Sequence, residues 1–147
     1  MARVGGGAFA LGFAGLLPQA VAVAAIAAVP EHEVTAAAVA IGYTALILSF
    51  LGGMWWGFAM RRERGQARLA AVAVLPSLAA FAIVGSLAWT ARLDWTLVAI
   101  GVAVLMTLPV DRHLANTGEA PQGWMRLRVP LSVGLGGLAI LAGVLVA

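Results

Sequence analysis

The chain contains no cysteine and no lysine, and charged residues fill only 10% of its 147 positions. Without cysteine there is no disulfide scaffold, no iron–sulfur cluster, no cysteine-ligated zinc and no covalently attached haem. Soluble domains carry about 25% charged residues, so this chain lacks the polar surface to cover a globule of its size. Polar chemistry is sparse in its placement too. No Asp, Glu, His or Arg falls in the middle of an apolar run. Intramembrane ionisable groups are the usual mark of ion and proton pathways. Their scarcity argues against a proton pump, a carboxylate-coupled transporter and an intramembrane metalloprotease. No nucleophile–base pairing or phosphate loop is visible, so no enzyme is expected.

What the chain has in abundance is apolar surface. Hydrophobic residues make up 63% of it, before its 18 glycines are counted, and the mean hydropathy is +1.00. Crossing about 30 Å of hydrocarbon takes about 20 helical residues. Five runs meet that length, over approximately 8–29, 35–60, 69–90, 94–110 and 129–147, the fourth being the shortest and open to extension into Asp111 and Arg112. Helices are the expected form, because each satisfies its own backbone polar groups, and the alternation of a barrel strand is absent. The expected fold is all-α: a polytopic membrane protein, a five-transmembrane-helix bundle forming a single membrane domain over 1–147. The first run follows Arg3 as a signal peptide would, but it is longer than a typical signal core, and a retained span is expected.

All nine basic residues are arginine, and the isoelectric point is near 11.1. They sit at the ends of the apolar runs, not in one patch, which speaks against nucleic acid. With five spans, Arg3, Arg61, Arg62, Arg64, Arg68, Arg112, Arg126 and Arg128 share one side and Arg92 alone holds the other. By the positive-inside rule the N-terminus is cytoplasmic and the C-terminus periplasmic, in a bacterial cytoplasmic (inner) membrane. Trp55, Trp56, Trp89, Trp95 and Trp124 lie near span ends and are expected to be interfacial anchors.

Several residues invite structural roles. Pro18 and Pro76 lie inside spans one and three and should kink them, and Pro130 is expected to begin span five. Asp94 suits the N-cap of span four. Ser49, Gly53 and Gly57 fall at spacing four on span two, and Ser132 and Gly136 do so on span five. Such stripes let helices approach closely, inside the monomer or against a partner. At the inner ends, Asp111 should seek an arginine among Arg61, Arg126 and Arg128, in a charge cluster that also holds Arg62 and Arg112. Those arginines would otherwise meet anionic lipid. Gln19, Ser49 and Ser77 count to a similar depth and, with Tyr43, suggest a small polar layer in mid-membrane. That layer would hold a water, a quinone or a lipid headgroup. His32 and His113 fall on opposite sides, so one chain cannot bring both to one haem or metal, and the loop residues Glu31, His32 and Glu33 are expected to be solvated. No metal site and no cofactor is expected, with lipid, quinone or pigment as the candidate small molecules.

One segment is more specific. The run Tyr43-Thr44-Ala45-Leu46-Ile47-Leu48-Ser49-Phe50-Leu51-Gly52-Gly53-Met54-Trp55-Trp56-Gly57 resembles the signature of the family known as domain of unknown function 3429. Gly15-Leu16-Leu17-Pro18, Pro76-Ser77-Leu78, Asp111-Arg112-His113-Leu114 and Trp124-Met125-Arg126-Leu127-Arg128 are similar as well, in order along nearly the whole chain. The family's mitochondrial relatives include transmembrane protein 69. The resemblance implies a small five-helix inner-membrane protein and supplies no activity. Taken together, these readings lead to an accessory subunit or assembly factor of a larger membrane complex, energy-transducing by the mitochondrial likeness. Its partners would be membrane lipids and other membrane subunits. The alternative is a binding or transport module for a small apolar ligand such as a quinone, lipid or tetrapyrrole.

Overall fold

An apolar chain must pair its backbone polar groups within each segment, and this one does so with helices throughout. The computed structural model describes residues 3–147. Five helical stretches are long and apolar enough to cross a membrane: Gly6–Ala28, Pro30–Ala59, Gln66–Thr90, Leu93–Asn116 and Trp124–Leu145. The first comprises α1 (Gly6–Ala14) and α2 (Leu17–Ala28). The second is a single 3-10 turn leading into α3 (Glu33–Ala59). The third is α4 (Gln66–Gly85) with the short α5 (Leu87–Thr90). The fourth divides into α6 (Leu93–Leu105) and α7 (Leu108–Asn116), and the fifth is α8 (Trp124–Leu145).

Prolines explain two of the three breaks. Pro18 has no N–H for the Ala14 carbonyl, and the first span parts between α1 and α2 just before it. The Tyr43 hydroxyl donates across the gap to the Gly15 carbonyl at 2.5 Å. Pro109 does the same between α6 and α7, where the Thr107 hydroxyl donates to the Val104 carbonyl at 2.7 Å. Pro76 and Pro130, by contrast, lie inside unbroken helices. Gly65 and Gly123, at φ 69° and 82°, take the left-handed conformation that turns the chain into α4 and α8.

Two boundaries correct the sequence reading. Span four does not stop near residue 110 but continues to Asn116, and span five begins at Trp124 rather than 129. Asp111, Arg126 and Arg128 are therefore helical residues, and Pro130 lies in the second turn of α8 instead of opening it. Hydropathy places arginine outside a span because a lone arginine seeks the interface. A paired one has no such need. Asp94 is not the N-cap of α6; Arg92 occupies that position.

The helix α3 runs through the middle, packed against α2, α4, α6 and α8. The core divides into three layers along the bundle. One end is built of Ala22, Ile26, Ala37, Ala40 and Leu97. The middle holds Leu48, Ile100, Val104 and Leu135. The other end holds Trp55, Leu69, Leu114 and Ala120. Close approach supplies much of the packing. A Cβ at Gly101 would lie 2.7 Å from the Gly136 carbonyl, and one at Gly143 2.7 Å from the Asp94 carbonyl, so α6 and α8 meet backbone to backbone. Large apolar side chains also face outward: Phe81 is 79% exposed and Leu11 77%. In α1 no residue is buried at all.

Candidate functional site

The polar centre of the bundle is Asp111, on α7. It is fully buried, and three side chains from two other helices converge on it. The Trp55 indole donates to Oδ1 at 2.9 Å and the Trp124 indole to the same oxygen at 3.3 Å. The Arg128 Nε donates to Oδ2 at 2.8 Å. A carboxylate out of water needs a cation and hydrogen bonds together, and this one has both. Trp55 is thus not an interfacial anchor. It is 2% exposed, and its N–H points inward. Trp124 is half-buried and meets the Phe58 ring edge-on at 5.7 Å. Trp56, Trp89 and Trp95 remain exposed, as anchors should.

The other members of the inner cluster do not join Asp111. Arg62 forms a two-pronged pair with Glu119, both contacts at 2.6 Å, tying the 60–65 loop to the 117–123 loop. That hydrogen-bonded guanidinium holds the Glu119 carboxyl below its ordinary range, and the carboxylate in turn raises Arg62. Arg3 donates to the Gln122 side chain at 3.0 Å and lines a surface hollow with Arg126. Arg61, Arg112 and Arg126 are exposed, as are His32 and His113.

Arg128 also borders a cavity of about 340 Å³, walled by α1, the turn after it, α3, α8 and Val104 of α6. Its walls are apolar: Leu11, Leu16, Ile47, Phe50, Leu51, Met54, Leu131 and Leu135 among them. Arg128 and Ser132 interrupt that lining. They sit one turn apart on one face of α8, in the series Trp124, Arg128, Ser132, Gly136. Arg128 is 5% exposed and Ser132 1% exposed. The Arg128 Nη2 and the Ser132 Oγ have no hydrogen-bond partner among the described residues. Buried polar groups are nearly always paired, so two orphans on one cavity wall mark it out. Leu11 brings the opening to the apolar exterior.

The expected mid-membrane layer is not assembled as one pocket. Ser49 and Ser77 share a shallow outward groove between α3 and α4. Tyr43 is spent on Gly15. Gln19 is fully buried on α2, its amide without a partner among the described residues, and it lines neither the groove nor the cavity. Equal depth places residues in a plane but says nothing about their angle around the bundle. The small-residue stripes also separate. Ser132 and Gly136 face inward, Gly136 against Gly101. Gly53 and Gly57 face outward, where an added Cβ would touch nothing within 4 Å. It is Gly52, one position away, that packs, against the Ala73 carbonyl and Pro76.

What the sequence reading missed is the line from Trp124 to Ser132. The spacing-four pattern was there to be seen, but it starts in residues assigned to a loop.

The chain belongs to the family of proteins of unknown function DUF3429, whose model matches residues 5–145. No curated protein and no solved structure matches it.

Proposed function

We propose that this DUF3429 protein is a non-catalytic, multi-pass membrane protein that binds a small, largely apolar ligand in the cavity between α1, α3 and α8. One observation carries the reading: Arg128 and Ser132 line an otherwise apolar cavity of about 340 Å³, and the Nη2 of one and the Oγ of the other are buried without a partner among the described residues. That volume lies in the range of small-molecule sites, which combine apolar walls with a few placed polar groups. The two imidazoles, His32 and His113, do not line it. The arginine-rich end, with Arg3, Arg61, Arg62, Arg64, Arg68 and Arg112, faces the cytoplasm of a bacterial cell by the positive-inside rule, with Arg92 on the far side.

Native mass spectrometry of protein released in mild, lipid-preserving detergent tests this. The wild type should carry one defined small-molecule adduct. Ile47→Trp, which puts bulk into the cavity, should lose it, while Ser49→Leu, in the outer groove, should keep it. A bare protein in every preparation contradicts the reading.

A second reading has its own support. The outward Gly53 and Gly57 leave a flat strip on α3 where another helix could approach closely. An accessory subunit or assembly factor would use that strip. The same spectra test it: a reproducible additional protein mass, lost in Gly53→Ile, supports a subunit, and its absence counts against one.

A further inference from the structure

The cavity's electrostatics narrow the ligand, and the inference rests on the ligand-binding reading above. Its polar wall offers donors. The guanidinium of Arg128 has no acceptor capacity, and its Nη2 awaits an acceptor. The Ser132 hydroxyl, one turn further along α8, has no partner either. A head made only of donors leaves Arg128 unsatisfied, so the ligand must present acceptor oxygens.

Charge decides which acceptors. The Arg128 charge is already balanced, because Asp111 sits on its Nε at 2.8 Å and both are buried. A carboxylate or phosphate head would add a second anion to a neutral buried pair. Among the described residues nothing else cationic lines the cavity to offset it, and an unbalanced buried ion is strongly disfavoured. A carbonyl oxygen takes both donors without adding charge. The rest of the lining requires an apolar body. The cavity reaches the lipid-facing surface at Leu11, which gives a hydrocarbon tail a way out beneath α1.

We propose that the cavity takes the uncharged, carbonyl-bearing head of a tailed lipid, with the Arg128 Nη2 and the Ser132 Oγ donating to its oxygens. Ring carbonyls of a quinone and ester carbonyls of an acylglycerol share this chemistry.

The test uses the full chain, delipidated in an alkyl glycoside detergent that contains no carbonyl group. Four probes built on ten-carbon chains are compared: decylbenzoquinone, dicaprin (the didecanoyl ester of glycerol), decanoate and decane. Binding is read as the ligand-dependent rise in Tm, and stoichiometry by native mass spectrometry. One neutral carbonyl probe should bind saturably at one per chain, and whether it is the quinone or the ester identifies the source. Decanoate and decane should give no saturable shift. Ser132→Ala should weaken the neutral probe tenfold or more while leaving the ligand-free Tm equal or higher, since it removes an unpaired buried hydroxyl. Arg128→Lys, which keeps a cation beside Asp111, should weaken it similarly.

Decanoate binding tighter than both neutral probes would overturn the uncharged head and leave the ligand cavity standing. Neutral binding unaffected by Ser132→Ala and Arg128→Lys would overturn the site assignment. No binding by any probe would overturn the inference about the head. Whether the ligand-binding reading falls with it is read separately, from the co-purified adduct and its loss in Ile47→Trp.

Discussion

Two arginine–carboxylate pairs stand at opposite ends of the bundle, and the closer of them matters less. Arg92 and Asp94 approach to 2.5 Å, but the Arg92 side chain is 65% exposed. Arg128 and Asp111 are 2.8 Å apart, with side chains 6% and 0% exposed. In water a guanidinium loses little when its partner goes, because solvent takes over. In the buried pair no solvent is available, and Trp55 and Trp124 depend on the same carboxylate. Burial, not distance, sets the consequence, and only the buried pair joins three spans.

The largest effect expected from that contrast comes from Asp111→Ala. It leaves the Arg128 charge and two indole N–H groups unpaired, a loss of about 3–5 kcal/mol, read by unfolding in mixed detergent–SDS micelles. The double variant Asp111→Leu/Arg128→Met should recover most of it, since a neutral replacement of both partners is often tolerated. A double variant as damaged as the single would break the comparison.

Next comes packing between α6 and α8. Gly101→Ala forces a Cβ to within 2.7 Å of the Gly136 carbonyl, and overpacking of this kind costs about 1–3 kcal/mol. Gly53→Ala, on the open face of α3, should cost nothing by the same unfolding assay.

A smaller effect belongs to Arg62 and Glu119, whose side chains are 22% and 24% exposed. The paired Glu119 carboxyl titrates below its ordinary 4.5. The folded state therefore holds its proton less tightly than the unfolded chain. This pair's stabilisation is complete above pH 4.5 and fades as pH falls through the lowered folded-state value. At about 1 kcal/mol or less, it should show as an acid-limb loss in a stability–pH profile that Glu119→Gln flattens. The smallest effect is at the other end: Arg92→Ala should leave the unfolding midpoint where it is.

How much of this was legible in the sequence follows from the solvent. Five spans are readable because hydrocarbon demands long apolar runs. The Asp111 pairing with an arginine was readable because a carboxylate out of water needs a cation, although Asp111 lies in the first turn of α7 and not at a helix C-terminus. The stripe of Ser132 and Gly136 follows from spacing. Which way it faces, however, was not readable. Leu48 is buried and Leu46 is 71% exposed, yet lipid accepts either, so no polar face marks the outside. The same blindness hides that Gly52 packs while Gly53 does not. It also hid the turn of Trp55 toward Asp111, because a tryptophan near a span end is ordinarily an anchor. The Gln19, Ser49, Ser77 and Tyr43 layer failed for want of angular information. The cavity was missed because Trp124 and Arg128 fall outside the span expected over 129–147, whereas α8 begins at Trp124.

On the ligand-binding reading, the Arg128 Nη2 and the Ser132 Oγ lack a partner among the described residues because they serve a ligand. Ser132→Ala, purified in lipid-preserving detergent beside the wild type, tests it with two readings on one sample: the co-purified small-molecule mass and the unfolding midpoint. The adduct should be lost and the midpoint unchanged or raised. An adduct that persists while the midpoint falls would contradict that reading, and would make Ser132 a packing residue.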